Sequence, residues 1–292
     1  MKQYLSFVLC LLVLGSCGQR REKLLLAGSG WDKIVIIDKA TKSIEWEYTI
    51  EKGRECNSAV ATPDGNILFS YSKAAKLINR NKEELWTIEA PAGSDLQSAS
   101  VLPNGNYLVA WCGFPATILE VDPKGKILSR TEFDAQVERA HYQFRRITKN
   151  KKGNYMTPIC ATGELREISP EGQTLKSVNV GGFLFCAIEM ENGNYIVTCG
   201  DDHQYKEVNF STGEIVKTVN AEDIEGLKFS FVAQFLPTGN GGAYICNWQG
   251  HNKNRASENY PQVIEIDAKG KIVWSINDKI NFGLISTICS IE

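Results

Sequence analysis

The chain has 292 residues, of which 43% are hydrophobic, enough for one large core or for two domains. Its 32 Lys and Arg residues nearly balance 34 Asp and Glu residues, giving a formal net charge of −2. The basic residues are scattered, and phosphate binding needs clustered positive charge, so the composition argues against nucleic acid as the main partner.

The N-terminus has the pattern of an export signal. Lys2 supplies a positive charge, and residues 4–14 form an apolar run that is too short to remain in a bilayer as a spanning helix. The next segment, Leu14-Gly15-Ser16-Cys17, resembles the lipobox of bacterial lipoproteins. A plain secretory signal with a chance cysteine is the alternative.

The lipobox resemblance implies a division of the chain and a location. Residues 1–16 would be the signal peptide, Cys17 would carry the lipid, and residues 17–22 would be the tether to a domain over residues 23–292. Lipid on Cys17 would make the membrane a partner. Gly18 offers no acidic retention signal, so we expect the outer membrane, with the periplasmic and the extracellular face both open.

A turn followed by a strand recurs five times in the rest of the chain. The copies are TPDGNILFS (62–70), LPNGNYLVA (102–110), KKGNYMTPI (151–159), ENGNYIVTC (191–199) and TGNGGAYIC (238–246). Asn-Gly and Asp-Gly pairs favour tight turns, and the aromatic or β-branched runs that follow favour strands. Between them lie six alternating hairpins, such as LEVDPKGKILSR (119–130) and IEIDAKGKIVWS (264–275). Repeating four-stranded units of this length are typical of β-propeller blades.

The two motif counts differ by one because the ends of the chain share a blade. Residues 24–28 stand where a turn-strand belongs, and residues 284–291 resemble the strand before the turn. We therefore predict an all-β, six-bladed propeller closed by pairing the C-terminal strand with the N-terminal strands. A seventh, degenerate blade between Phe133 and Arg146 is the main alternative, and a β-sandwich with similar turns is another.

The paired phrases LPNGNYLVA and EIDAKGKIVW resemble repeats of quinoprotein-like and arylsulfotransferase-like β-propellers, and also six-bladed propeller lipoproteins of Bacteroidetes. In such families the hairpin tryptophans, in this chain Trp46, Trp86 and Trp274, dock neighbouring blades. The chain lacks the eight blades and the vicinal cysteine pair of the quinone binders, so no quinone or other cofactor is predicted. The acceptor histidine of arylsulfotransferases cannot be assigned to any one of the three histidines of this chain.

Seven cysteines remain after Cys10 and Cys17 are set aside with the signal and the lipid. Seven is an odd number, the spacings are wide, and no CxxC pair occurs, which argues against a disulfide framework. Several of them hold equivalent positions in their repeats, which indicates packing. Carboxylate and histidine partners do not accompany them at fixed spacing, so no metal centre is predicted.

A functional site is expected at one mouth of the propeller channel, where the loops after the second strands and before the first strands meet. The longest such loop, residues 246–260, offers Trp248 for stacking and Asn247, His251 and Arg255 for polar contacts; a solvated surface loop is the alternative. One blade earlier, Asp201 and His203 could act as acid and base or hold a cation, although a polar turn is the simpler interpretation. Trp111 and its counterpart Trp31 could form an apolar wall.

The segment Arg139–Arg146 is interpreted as part of an inner strand. His141, Gln143 and Arg145 alternate, so one face of that strand would carry all three and could bind an anion. Glu55, Asn57, Asp95 and Gln97 stand at the starts of two other inner strands and could add polar groups at the same mouth.

The leading hypothesis is a monomeric, outer-membrane-anchored propeller that binds a small molecule, a glycan or a protein at the channel mouth. An alternative is an enzyme, a hydrolase, lyase or transferase, acting on a polar or anionic substrate with a histidine as acid or base and Arg145 as anion clamp. A third is a scaffold for protein assembly, which would show an apolar outer patch.

Overall fold

The structure, a computed structural model, describes residues 21–254 and 260–291. The predicted signal peptide and Cys17 lie outside the described residues, as does the part of the 246–260 loop that contains Arg255. The described chain forms six four-stranded antiparallel sheets arranged as a six-bladed β-propeller, which confirms the predicted fold. No helix in these ranges is long and apolar enough to cross a membrane.

The blades follow one another along the chain, and each extends from an innermost strand beside the channel to an outermost strand at the rim. Blade 1 contains, in that order, β24 (Thr287–Ile291), β1 (Lys23–Ala27), β2 (Lys33–Asp38) and β3 (Ile44–Thr49). Blade 2 contains β4 (Ser58–Ala61), β5 (Ile67–Tyr71), β6 (Ala74–Ile78) and β7 (Glu84–Glu89). Blade 3 contains β8 (Asp95–Val101), β9 (Tyr107–Cys112), β10 (Ala116–Val121) and β11 (Ile127–Phe133).

Blade 4 contains β12 (Thr148–Lys149), β13 (Tyr155–Ile159), β14 (Glu164–Ile168) and β15 (Thr174–Asn179). Blade 5 contains β16 (Ala187–Glu189), β17 (Tyr195–Thr198), β18 (Gln204–Asn209) and β19 (Glu214–Asn220). Blade 6 contains β20 (Val232–Pro237), β21 (Ala243–Asn247), β22 (Val263–Ile266) and β23 (Ile272–Ile276). Two 3₁₀ turns, Ala140–Tyr142 and Ala221–Asp223, lie in the connections between blades.

The five repeated glycines form the turns between the first and second strands of blades 2 to 6. Gly65, Gly105, Gly153, Gly193 and Gly241 have φ angles between 77° and 87°, a region that side chains with a Cβ disfavour. In each antiparallel blade, these turns and the outer hairpin turns lie at one end. The loops after the second strands and the connections between blades therefore meet at the opposite end.

Closure of the ring occurs as the sequence predicts. Strand β24 pairs antiparallel with β1, with Leu26 opposite Ile288 and Lys23 opposite Ile291. The closing strand thus becomes the innermost strand of blade 1, next to the channel. No edge of this sheet is left open at the junction.

The core lies between neighbouring blades rather than at the centre of the ring. Every residue of β9 is buried, whereas β11 at the rim of the same blade exposes most of its residues. The hairpin tryptophans join adjacent blades, as expected for packing: Trp46 Nε1 donates to Arg80 O at 2.9 Å, and Trp274 Nε1 donates to Lys39 O at 3.0 Å. Trp86 packs against Gly125 and Tyr107 of the next blade.

All seven cysteines of the described residues are free thiols, and six of them are buried: Cys56, Cys112, Cys160, Cys186, Cys199 and Cys246. Burial raises the pKa of the Cys56 thiol to about 12 and that of Cys160 to about 11. They are therefore neutral packing groups at physiological pH.

The prediction of an inner strand over residues 139–146 is wrong, and so is a seventh blade there. Residues 140–142 form a 3₁₀ turn, and the inner strand β12 begins only at Thr148. The segment is bent because its long side chains bond to backbone. Gln143 donates to Gly113 O at 3.0 Å and accepts from Gly113 N at 2.8 Å, and Arg145 folds back to donate to His141 O. The alternation of His141, Gln143 and Arg145 therefore does not place them on one strand face.

Candidate functional site

A pocket with a cavity volume of about 390 Å³ opens at the channel mouth formed by the blade connections and the second-strand loops. Its size is within the range of small-molecule sites. One wall is polar and contains Glu55, Asn57, His141, Arg145 and Ser286. A second group of lining residues is aromatic and contains Phe183, Phe185, Phe231 and Trp248, with Tyr142 beside them. We call these the polar wall and the aromatic wall.

A chain of hydrogen bonds orients His141 in the polar wall. Its Nδ1 lies 2.7 Å from Asp95 Oδ2, and its Nε2 lies 3.0 Å from an Nη atom of Arg145. A guanidinium can only donate, so Nε2 is the acceptor and the Nδ1–H donates to Asp95. This arrangement defines the neutral tautomer of His141 and fixes the orientation of its ring.

Glu55 completes the polar wall as a carboxylate with free capacity to accept hydrogen bonds. Its Oε1 lies 3.9 Å from His141 Nε2, and its Oε2 accepts a long 3.3 Å bond from Asn57. Its side chain is about one third exposed, at 32%. The carboxylate therefore offers acceptor positions to a molecule in the pocket.

Arg145 provides the positive charge of this wall and is buried. Burial by itself lowers the pKa of its guanidinium, but the electrostatic effect of the groups around it, Glu55 and Asp95 among them, raises that pKa above its ordinary value overall. The guanidinium also lies over the Phe183 ring, 5.9 Å from its centroid. Arg145 thus connects the polar wall with the aromatic wall.

A divalent cation could be considered at Glu55, Asp95 and His141, because one ligand atom from each lies within 4.8 Å of the others. However, the Nε2 atom of His141 accepts a hydrogen bond from Arg145, and Nδ1 is committed to Asp95. A metal ion there would need one of these bonds to break and would lie close to a guanidinium. The residues therefore fit an orienting network better than a metal centre.

The aromatic wall is built from rings that contact one another edge to face. Phe231 lies 5.3 Å from Trp248, 6.1 Å from Phe183 and 5.7 Å from Phe185, measured between ring centroids. Trp248 is fixed by its Nε1–H, which donates to Ser29 O at 3.0 Å. The wall is consequently a preformed apolar surface of fixed shape.

A second histidine–aspartate pair lies at the edge of this wall. His251 Nδ1 is 2.9 Å from Asp201 Oδ1, and the imidazole packs on Trp248 with 4.8 Å between centroids. Both side chains are more exposed than the His141–Asp95 pair, at 60% and 46% against 40% and 19%. The mouth therefore carries one sheltered pair and one exposed pair.

Of the ten candidates that the structure describes in the loops and in residues 139–146, five lie around the pocket: His141, Arg145, Asp201, Trp248 and His251; Glu55 and Asn57, which were expected at the same mouth, line it as well. The other five lie elsewhere. Trp31 packs on Phe282, Trp111 packs between blades beside Arg130, and His203 lies outside the pocket in a turn with a φ of 58°. Gln143 and Asn247 are buried and hold loops together.

The role of Asn247 explains the shape of the mouth. Its Oδ1 accepts from Ser230 N at 2.7 Å, and its Nδ2 donates to Pro261 O at 2.9 Å. It therefore joins the connection before blade 6 to the far end of the long loop. The aromatic wall depends on these two hydrogen bonds, because Phe231 directly follows Ser230 and Trp248 directly follows Asn247.

Sequence reasoning missed the phenylalanines of the aromatic wall. Phe183-Leu184-Phe185 and Phe229-Ser230-Phe231 repeat the same spacing just before the inner strands of blades 5 and 6. Alternating aromatics in two equivalent connections are the signal that could have found them. They are absent from the corresponding connections before blades 2 and 3.

Comparison with known proteins identifies the family. The sequence profile of the Mal s 1 allergenic protein-like family matches residues 28–271, and the chain belongs to this family. A crystal structure of a protein of unknown function from Bacteroides caccae is 56% identical, with a TM-score of 0.91 over 93% of this chain and 99% of that one. No curated protein matched the sequence.

More distant structures share the fold. A streptogramin B lyase has a TM-score of 0.61 at 13% identity, over 88% of this chain and 80% of that one. Virginiamycin B lyase from Staphylococcus aureus has a TM-score of 0.60 at 13% identity, over 86% and 79%. These similarities show the propeller fold alone. The resemblance to quinoprotein-like and arylsulfotransferase-like propellers stays a prediction.

Proposed function

We propose that this Mal s 1-like propeller binds a small ring compound in the mouth pocket. The observation that carries the proposal is that one cavity of about 390 Å³ is lined by both an aromatic wall and a polar wall. A rigid apolar surface combined with a few polar groups is typical of small-molecule sites. The narrow cavity favours a small molecule over a large protein surface.

The chemistry of the two walls defines the class of ligand. Phe231 and Trp248 present ring surfaces on which the apolar face of a ring can pack. Glu55 presents carboxylate oxygens, which accept hydrogen bonds from hydroxyl or amine groups. The ligand is therefore a ring with an apolar face and several hydroxyl or amine donors, such as a sugar or an aryl amine.

The test uses the soluble domain with N-acetylglucosamine, glucose and tryptamine as probes. Binding would be measured by isothermal calorimetry with the wild type and with Trp248→Ala and Glu55→Gln. At least one probe should bind, and each substitution should weaken its affinity about tenfold or more. Glu51→Gln is the matched control, because Glu51 pairs with Arg54 nearby and does not line the pocket. Binding unchanged in both pocket variants, or absent for all probes, would reject the proposal.

Catalysis on the bound ligand is the second candidate, and the Asp95–His141 pair favours it. A carboxylate that orients an imidazole is a common arrangement for a general base, and in that role His141 Nε2 would have to exchange its hydrogen bond from Arg145 for one from the ligand. The distant proteins with this fold include lyases, among them a catalytically inactive variant of virginiamycin B lyase with quinupristin. Mass spectrometry of a bound probe after incubation with wild type and with His141→Ala would decide. Conversion by the wild type alone supports catalysis, and no conversion by either leaves binding as the function.

We also propose that lipid on Cys17 anchors the propeller at the outer membrane. The support is the sequence Leu14-Gly15-Ser16-Cys17 after an apolar run. Expression of the full chain in a Gram-negative host should yield a membrane-bound protein whose N-terminal peptide carries acyl mass on Cys17. Cys17→Ser should remove the modification and release the protein. An unmodified N-terminal peptide from the wild type would reject lipidation.

A further inference from the structure

Arg146 lies in the central channel and reaches across it. It precedes the inner strand of blade 4, yet its Nη1 atom bonds to three other blades. The contacts are Thr287 Oγ1 at 2.9 Å in blade 1, Asn57 O at 3.2 Å before blade 2 and Gln234 Oε1 at 3.2 Å in blade 6. The guanidinium is therefore held at a fixed place in the channel.

All of these partners are neutral. Among residues 21–254 and 260–291, no carboxylate oxygen lies within 4.0 Å of the Arg146 guanidinium. The groups that surround it include the thiols of Cys186, Cys246 and Cys56, whose pKa values burial raises. Neutral thiols do not balance a positive charge.

A guanidinium remains protonated in proteins, so the charge persists although burial lowers the pKa of Arg146. An isolated charge away from bulk water is costly unless it is paired. The hydrogen bonds of Nη1 reduce this cost but leave the net charge uncompensated. The remaining nitrogens of the guanidinium are the positions at which a counter-charge would be held.

Arg146 borders open space, and its partner Asn57 adjoins two further buried donors. Arg146 is enclosed by protein but keeps accessible surface, so it borders open space within the channel. Gln97 is buried on the neighbouring inner strand β8 and accepts from Asn57 at 2.7 Å, but its Nε2 has no partner among the described residues. The Oγ of Ser58, next to Asn57, also lacks one within the same ranges. Buried donors of this kind are rare without a bound group.

We propose that the channel binds a small monovalent anion, with Arg146 as its cationic partner. The required chemistry is a compact negative charge that accepts hydrogen bonds, which chloride and a small carboxylate both supply. A bound anion would balance the guanidinium in a place that the protein's own acids do not reach. This site is centred on Arg146, which does not line the ring-binding pocket, although Asn57 borders both; its existence does not depend on the proposed function.

The direct experiment is diffraction from wild-type crystals soaked in bromide, measured at the bromine absorption edge. An anomalous peak within hydrogen-bond distance of the Arg146 guanidinium is expected. In solution, the Tm of the wild type should rise with chloride when methanesulfonate keeps the ionic strength constant, by on the order of 5 °C at saturation. Acetate in place of chloride distinguishes the sources: a larger shift with acetate indicates a carboxylate, and a larger shift with chloride indicates a halide.

Arg146→Met and Arg166→Met form a matched pair for the solution measurement. Arg166 is also buried, but its guanidinium is paired with Glu164 within the same blade. Arg146→Met should abolish the anion-dependent rise in Tm, whereas Arg166→Met should retain it. Absence of both the bromide peak and an anion-dependent rise in the Tm of the wild type would overturn the proposal, as would an equal rise in Arg146→Met and wild type. The measurements on the wild type need no variant, so they decide even if Arg146→Met fails to fold.

Discussion

Arg145 and Arg146 are adjacent in the chain, but their guanidinium groups lie in different electrostatic surroundings. Arg145 faces the mouth, where Glu55 and Asp95 raise its pKa against the effect of burial. Arg146 turns into the channel, where its hydrogen-bond partners are neutral and burial lowers its pKa. The mouth supplies its own counter-charges, whereas the channel does not.

The difference teaches what each region is suited to do. In the mouth the charges compensate one another and fix the ring of His141, so a ligand meets a preorganised surface. In the channel the charge is fixed by neutral groups and depends on a negative group from outside the chain. One region therefore selects by shape and hydrogen bonding, and the other by charge.

The largest expected effect is that of Arg145→Met. It leaves Glu55, Asp95 and the Nε2 of His141 without their cationic partner, so we expect a loss of about 3 kcal/mol in the free energy of unfolding. Urea denaturation would measure it. Arg21→Met is the control, because that side chain is 74% exposed and its loss should change stability by less than about 0.5 kcal/mol. A variant as stable as the wild type would show that Arg145 does not compensate the charges of Glu55 and Asp95.

A second prediction concerns pH and the thiol beside the channel. Cys56 has an ordinary thiol pKa of 9.0 when unfolded and about 12 when folded. Between these values the folded chain binds more protons than the unfolded chain, so stability falls as pH rises. The contribution is complete below pH 9 and is lost toward pH 12, which gives a loss of about 2 kcal/mol between about pH 8 and about pH 10.5.

Urea denaturation of wild type and Cys56→Ala at both pH values isolates this contribution from the other titrating groups. The variant should be less stable at the lower pH because a buried side chain is shortened, but it should lose less stability at the higher pH. Equal losses in both proteins would contradict a raised pKa at Cys56.

Apart from the control variants, the smallest expected effect is that of Asp95→Asn. The amide oxygen can still accept from His141 Nδ1, but one of the charges that compensate Arg145 is lost, so we expect a decrease of about 1 kcal/mol. Asp201→Asn changes the more exposed pair with His251 and should cost about 0.5 kcal/mol or less. Thermal unfolding would compare them. A larger loss of stability in Asp201→Asn would contradict the expectation that the sheltered pair contributes more to stability than the exposed pair.

The sequence predicted the blades well because each blade repeats local turn chemistry. Gly65 and its four equivalents mark tight turns wherever they occur, and the spacing between them counts the blades. The closing pair β24–β1 followed from the mismatch between the two motif counts. The turns depend on neighbours in the chain and the closing pair follows from counting the repeats, so periodicity was sufficient to find both.

The site was less predictable because it is assembled from connections that lack a repeat. Side chain–backbone bonds from Gln143 and Arg145 bend a segment that alternation had suggested to be a strand. Trp111 lies within strand β9 and Trp31 in the loop after β1, and both pack into the protein and do not face the pocket. Such choices depend on contacts between blades that are distant in sequence.

The pairing of β24 with β1 also sets the order in which the molecule can be completed. Leu26 and Ile288 must meet across almost the whole chain, and such distant contacts are entropically costly to close and slow to form. Until β24 is paired, β1 presents an unpaired edge and the ring of blades is not closed. A nascent chain released before Thr287 would therefore be an incomplete ring with a strand edge open to aggregation, rather than a smaller propeller.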